Sequence, residues 1–306
     1  MGERLRGKVA VVTGSGQGIG KAIALALAQE GAKVVTNNRR PGTEGGDAET
    51  TAEEIRKAGG EAVPFFGDVS KFDEAERLIK TAIDKFGGVD ILVNCAGADR
   101  PRMVWNLTEE DWDICVNSFL KGTFNCTRHA AGFMREQRWG RIINMTSDAY
   151  YGTVGHANYG AAKAGVVGFT YAVAREMGRY GVTCNAIAPE AATRFSASPE
   201  VIAGFKKRYE AGLISKERLE ELINMPPPEC VGPFVAYLAT EEAWNINGHI
   251  FRVSGGEITL FSDPIRAKSI FKDWTKAGPW GVEELITIFP KTLGAGLVNP
   301  APPEKE

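Results

Sequence analysis

The chain has 306 residues, of which 43% are hydrophobic and 24% charged, and its formal net charge is -2. That length accommodates one large α/β domain with a sizeable core, or two small domains. The near-neutral balance argues against nucleic acid or an anionic membrane surface as the partner, which leaves a small molecule.

Short β-rich runs at residues 9–12, 33–36, 63–66, 91–93, 141–145, 182–187 and 250–253 alternate with helical patterns. The alternation predicts a doubly wound α/β fold, a parallel seven-stranded sheet with helices on both faces. After the first run comes Thr13-Gly14-Ser15-Gly16-Gln17-Gly18-Ile19-Gly20, followed by a helical stretch at 21–30. Backbone amides in such a strand-turn-helix unit point at a phosphate, and the helix dipole favours its charge. The spacing Gly-x-x-x-Gly-x-Gly differs from the commonest dinucleotide fingerprint. Asn38, Arg39 and Arg40 close the second strand, where an acidic residue would bind a ribose 2′-hydroxyl. Guanidinium groups suit a 2′-phosphate instead, so NADP(H) is expected over NAD(H), with NAD(H) the alternative. Thr108-Glu-Glu-Asp111 reads as a helix start ahead of an amphipathic stretch through Arg128.

Tyr159 and Lys163 stand four residues apart in a helical run, on one face, with Gly160, Ala161 and Ala162 between them. The ammonium is expected to favour the phenolate, making Tyr159 an acid–base group for an alcohol. Tyr171 and Arg175 repeat the spacing as an ordinary surface pair. Residues 190–230 form a charged insertion before the last strand, closed by three prolines. From residue 257 a C-terminal extension lacks strand signals, and residues 299–306 are a polar, Pro-rich end expected to fray. The domains expected are therefore 1–256, including the insertion, and 257–306.

Cys95, Cys115, Cys126, Cys184 and Cys230 are odd in number and lack a Cys-x-x-Cys pair, predicting free thiols in a reducing, cytoplasmic setting. His129, His156 and His249 are too scattered for zinc, no carboxylates have calcium-loop spacing, and no metal is expected. The charged residues 3–8 precede a strand-length run rather than a signal-peptide core, and no segment has the length of a membrane span.

Thr13-x-x-x-x-Gly18-Ile19-Gly20, Asn94-Cys-Ala-Gly97, Ser147, Tyr159-x-x-x-Lys163 and Asn185-Ala-Ile-Ala-Pro189 resemble, in order, the motifs of the short-chain dehydrogenase/reductase family. The run from Cys184 to Arg194 and the tail after Gly255 are similar to the hydroxyacyl-CoA dehydrogenase part of peroxisomal multifunctional enzymes. The resemblance implies a Rossmann-like fold, commonly dimeric or tetrameric, that transfers hydride between a nicotinamide and a secondary alcohol or ketone. It implies Tyr159 as proton donor or acceptor, Lys163 as ribose ligand and Ser147 as partner of the substrate oxygen. Gly14, Ser15, Gln17, Gly18, Ile19, Gly20, Asn38 and Arg39 would hold phosphate and ribose. Asp68 and Val69 would hold adenine, Asn94, Ala96 and Gly97 the adenosine side, and Pro189 with Thr193 the carboxamide.

Two departures stand out. The slot of the family's helical asparagine, counted from Trp112 and Gly122, holds Phe119, which puts a water relay there in doubt; Asn117 is turned roughly 200° away. Ser147 is one residue closer to Tyr159 than usual, implying a trimmed loop at 152–155; Thr146 would restore the count, but Ser147 keeps its distance from the fifth strand. The substrate pocket is expected from residues 148–151, the loop beginning at Asp99 and the insertion. A 3-hydroxyacyl-CoA or 3-ketoacyl-CoA is one candidate substrate, with Arg100, Arg102, Lys206, Lys207 and Arg208 near its phosphates. Other secondary alcohols, cyclic ketones and steroid-like molecules remain open. The alternative is a non-catalytic cofactor-binding subunit or sensor partnered with an active chain.

Overall fold

The computed structural model describes residues 2–193 and 196–298; Arg194 and the Pro-rich end at 299–306 lie outside the described residues. Residues 1–261 form one compact unit and 262–306 a second.

The first unit is built on a sheet whose central strands are buried on both faces. In β1 (Val9–Val12), Val9 and Val11 enter one core and Ala10 and Val12 the other, the period of two that a pleated strand imposes. One core lies between the sheet and α1 (Gly18–Gln29) with α9 (Gly232–Leu238). The other lies beneath α3 (Phe72–Phe86), α5 (Gly122–Gln137) and α6 (Ala157–Met177). In α3, Ala75, Leu78, Ile79 and Ala82 follow the i, i+3, i+4, i+7 pattern of a buried stripe, and Gly87 at φ 91° ends the helix in the left-handed region. Replacing such a leucine by alanine in a core of this kind costs about 2–5 kcal/mol.

The remaining strands are β2 (Lys33–Asn38), β3 (Ala62–Phe66), β4 (Ile91–Asn94), β5 (Gly140–Met145), β6 (Val182–Glu190), β7 (Ile250–Ser254) and β8 (Glu257–Leu260). Their order is β3-β2-β1-β4-β5-β6-β7-β8. The first seven are parallel and match the expected runs to within a few residues. The eighth corrects the expected count of seven: β8 pairs antiparallel with β7 across Gly255-Gly256 and brings residues 257–260 into the sheet. A Gly-Gly pair between two strands is a hairpin signal, and Gly255 sits at φ 58° as such a turn requires.

The helix starting beyond Thr108 runs further than Arg128. Thr108 and Asp111 form a capping box for α4 (Glu109–Val116), which passes through a π turn at Asn117–Lys121 into α5, ending at Gln137. The insertion carries α7 (Pro199–Glu210) and α8 (Lys216–Ile223), started by Ser198 and Ser215 as N-caps.

Between α1 and α3 lies α2 (Ala48–Lys57), capped by Asp47. In the second unit, α10 (Trp274–Ala277) and α11 (Val282–Ile288) are tied by Lys272, which pairs with Glu284 at 2.6 Å and lies over the Trp280 ring. Among the described residues no helix is long and apolar enough to cross a membrane.

Candidate active site

Strand order reverses between β1 and its neighbours β2 and β4, and a crevice opens at the carboxyl ends of the strands there. It holds two cavities, of about 350 and 440 Å³, that share Gly14, Gln17, Cys95 and Gly97. Glycine is required at the rim. Gly14 has φ 65°, and a Cβ on it would lie 2.8 Å from the Cα of Ala96; Gly18 has φ 57° and opens α1. Unlike α2 and α4, α1 has no side-chain cap and no acidic residue in its first turn. Its N-terminal amides are therefore left for an anion.

The larger cavity is walled by Asn38, Arg39, Arg40, Asp68, Val69 and Ala96. The Asn38 side chain packs where a Cβ on Gly16 would fall, and its buried Oδ1 has no partner. Both arginines are exposed. The smaller cavity gathers Gly18, Ile19, Gly20, Ser147, Tyr159, Lys163, Pro189 and Thr193. Of the expected site residues only Ser15 and Asn94 line neither cavity. Ser15 Oγ accepts from Asn37 N–H and donates to the Val12 carbonyl, while Asn94 Nδ2 donates to Thr127 Oγ1 and Asn144 Oδ1. The side chains of both are thus bonded within the protein behind the crevice.

Ser147 leaves β5 in an extended conformation, and its Oγ accepts the Ala149 amide at 3.3 Å. The same hydroxyl pulls the Tyr159 pKa downward, favouring the phenolate. The Thr146 hydroxyl is turned to the Lys163 carbonyl at 3.0 Å, so the structure brings Ser147 and not Thr146 to the phenol. Glycines at 152 and 155, both at positive φ, close the loop between.

The expected lowering of the Tyr159 pKa is not found. Burial pushes the phenol above its ordinary value, outweighing Ser147, and Asp99 adds to the rise. The Lys163 ammonium is engaged elsewhere, donating to the Met145 carbonyl at 2.6 Å and lying 4.1 Å over the Phe119 ring. Burial pushes Lys163 down to about 8. In the unliganded protein Tyr159 is thus a protonated acid.

Phe119 occupies the expected slot on the π turn. Its ring meets Tyr159 edge-on at 5.1 Å and covers Gly97, where any Cβ would run into it. Asn117 faces the larger cavity instead. Tyr150 and Tyr151 cluster with Phe261 away from the proton chemistry.

Of the expected substrate residues, Asp99, Asp148 and Glu190 line the smaller cavity together with Arg218, Leu222 and Met225. Arg100, Arg102, Lys206, Lys207 and Arg208 do not, and Arg102 pairs with Asp111 at 2.6 Å. A network missed in the sequence joins Arg252 to Glu190, Asp148 and Glu257, and Arg218 to Glu190. Burial raises the Asp148 pKa against the pull of Arg252. Also missed is His156, whose Nε2 stands 3.1 Å from Asp99 Oδ2 and whose ring lies 5.8 Å from that of Tyr159. Its place three residues before Tyr159, at the start of the same helix, was the available signal. No group of metal-ligating side chains occurs among the described residues.

Fold and site together define an α/β oxidoreductase with a crevice at the switch point of a doubly wound sheet. The family described as short chain dehydrogenase matches residues 8–198, and the chain belongs to that family. It is an enzyme that acts on a secondary alcohol or ketone with a nicotinamide cofactor. It is 38% identical over 288 residues to the hydroxyacyl-CoA dehydrogenase ChsB1 of Mycobacterium tuberculosis, covering 90% of this chain and 86% of that one. It is 40% identical over 259 residues to a 3-oxoacyl-[acyl-carrier-protein] reductase of Synechocystis, covering 83% and 98%. A match of 40% identity to the peroxisomal multifunctional enzyme type 2 of Drosophila melanogaster covers 82% of this chain but 40% of that longer protein. The crystal structure of a short chain dehydrogenase from Mycobacterium avium superposes with a TM-score of 0.80 at 39% identity, over 95% of this chain and 96% of that one.

Proposed function

We propose that the chain interconverts a 3-oxoacyl thioester and its 3-hydroxy form, with coenzyme A as the carrier and NADP(H) as the redox partner. The observation that carries the chemistry is the meeting of Ser147, Tyr159 and Lys163 in one cavity beside the uncapped start of α1. It favours an active enzyme over a non-catalytic subunit.

The nicotinamide, when bound, supplies or takes the hydride at the substrate carbon. The glycine turn and the amides of residues 18–20 suit its pyrophosphate, Pro189 and Thr193 the nicotinamide end, and Asp68 and Val69 the adenine. Tyr159 gives its phenolic proton to the substrate oxygen in reduction and takes one in oxidation, while Ser147 Oγ donates to that oxygen. Lys163 would hold a ribose hydroxyl of the cofactor. Arg39 and Arg40, at the wall of the adenosine cavity beside the uncharged Asn38, support the 2′-phosphate.

The acyl thioester rests on the names of the relatives and on a cavity flanked by Leu222 and Met225. Exposed Trp112, Phe124 and Phe133 on α4 and α5 support a homodimer or homotetramer, which light scattering measures. Five free thiols suit a reducing compartment such as the cytoplasm.

Initial rates with acetoacetyl-CoA against ethyl acetoacetate, each with NADPH and NADH, test the assignment. The thioester and NADPH should each be preferred, Arg39→Ala should narrow the cofactor preference, and Tyr159→Phe should lower kcat by about 10²–10⁴-fold with NADPH affinity kept. An NADH preference that survives Arg39→Ala refutes the cofactor reading. Near-normal turnover by Tyr159→Phe refutes the mechanism.

A further inference from the structure

We propose that His156, held by Asp99, is the group through which Tyr159 exchanges its proton with solvent. The inference rests on the proton role given to Tyr159 under Proposed function, and it follows from one route being closed and another being built.

The closed route is the inner one. Phe119 lies against Tyr159, under the Lys163 ammonium at 4.1 Å, and over Gly97. An aromatic edge neither carries a proton nor orders a water chain. Lys163 itself is buried, with its ammonium on the Met145 carbonyl.

The built route faces outward. His156 is the N-cap residue of α6 and Tyr159 lies in its first turn, and both line the smaller cavity. The imidazole is partly exposed, at 19% of its side chain. Nε2 lies 3.1 Å from Asp99 Oδ2 and Nδ1 3.3 Å from the Val154 carbonyl, so both ring nitrogens face acceptors. The Asp99 carboxylate fixes the orientation of the ring.

The charged and titratable groups facing this corner are Asp99 after β4, Tyr159 and Lys163 on α6, and Cys95 and Cys115 behind the phenol. Arg102, bridged to His156 through the backbone and paired with Asp111, and Arg208 of α7, near Gly155, complete the set.

In the reductive direction the Tyr159 O–H bond breaks and a new O–H bond forms on the substrate oxygen. The phenolate then takes a proton through water from a ring N–H of His156, which lets go of its acceptor to give it, and the ring takes one from solvent. One solvent proton is consumed per hydride, and oxidation reverses each step.

The test uses the full chain with NADPH and acetoacetyl-CoA, with NADPH affinity read separately by fluorescence. His156→Gln should lower kcat about tenfold or more, flatten the pH profile of kcat, and leave the NADPH dissociation constant within about twofold. Asp99→Asn should give a smaller loss in the same direction. Added imidazole should restore much of the rate to His156→Ala, and Phe119→Asn placed on His156→Gln should recover part of it by reopening the inner route. Wild-type kcat and pH profile in both histidine variants overturn the proposal. So does a loss of rate that imidazole does not restore and that NADPH affinity follows, which marks a structural role. If the Phe119→Asn combination does not fold, imidazole rescue decides alone. An active Tyr159→Phe enzyme instead refutes the proton role of Tyr159, whereas an inactive one beside normal histidine variants overturns only the route.

Discussion

Lys163 is an ammonium placed where water does not reach, and its cost has a definite pH dependence. Its pKa falls from 10.5 to about 8 on folding through burial, so between those values the unfolded chain binds the extra proton. Below pH 8 the lysine is charged in both states and the penalty is fully present. As pH rises from 8 towards 10.5 the penalty is relieved, by about 3 kcal/mol at ~1.4 kcal/mol per pKa unit. The buried thiols of Cys126 and Cys184, pushed up to about 12, act in the opposite sense above pH 9, so the comparison has to be with a variant. Urea unfolding of the cofactor-free protein should show wild type losing ground to Lys163→Met below pH 8 and regaining it by pH 10. Parallel pH curves for the two would contradict the burial of the ammonium. Tyr159 contributes nothing comparable near neutrality, because its raised pKa leaves it protonated in both states.

The π turn between α4 and α5 is the element that delivers Phe119 to Gly97 and Tyr159. An extra residue in a helical turn rotates everything before it relative to everything after, which is why such turns recur at functional sites. Gly97→Ala should therefore push the Phe119 ring off its seat and destabilise the protein by about 1–3 kcal/mol, as overpacking does. Phe119→Ala in the same chain should remove most of that penalty, and a double-mutant cycle from thermal unfolding measures the coupling. Additive effects would show that the two do not touch.

How far the elements could be read beforehand depended on burial. β1, β4 and β5 are hidden on both faces; β1 left an unbroken apolar run, while β4 and β5 left the shorter runs 91–93 and 142–143. β8 is four residues long and exposed throughout, with Ile258 and Leu260 its only large apolar residues, so its signal was short. Tyr159 and Lys163 were legible because helical spacing joins them. Asp99 and His156 were not, being 57 residues apart and brought together only when the loop after β4 meets the start of α6. The opposing pull of burial on Tyr159 was equally hidden, since composition does not report that Lys163 turns to the Met145 carbonyl.

At the scale of the molecule, strand order divides the first unit in two. β1, β2 and β3 pair among themselves, as do β4 to β8, and the halves are joined in the sheet by β1 against β4 alone, with Ala10, Val11 and Val12 opposite Ile91, Leu92 and Val93. The crevice lies across this seam, its walls drawn from both sides: Gly14 and Arg39 from one, Gly97 and Tyr159 from the other. A dinucleotide spanning it would act as a clasp, adding about 2.7 kcal/mol to folding at a hundredfold excess over its dissociation constant. Hydrogen exchange offers the readout. NADPH should slow the Thr13 amide, which bonds across the seam to the Val93 carbonyl, more than the Val34 amide, which bonds to the Glu61 carbonyl within one half; equal slowing would mean that the halves open as one body. On the two faces the seam is held by α1 against α9 and α3 against α5. A bound dinucleotide adds a tie along the strand ends, so that the loaded enzyme should outlast the empty one in the presence of a protease.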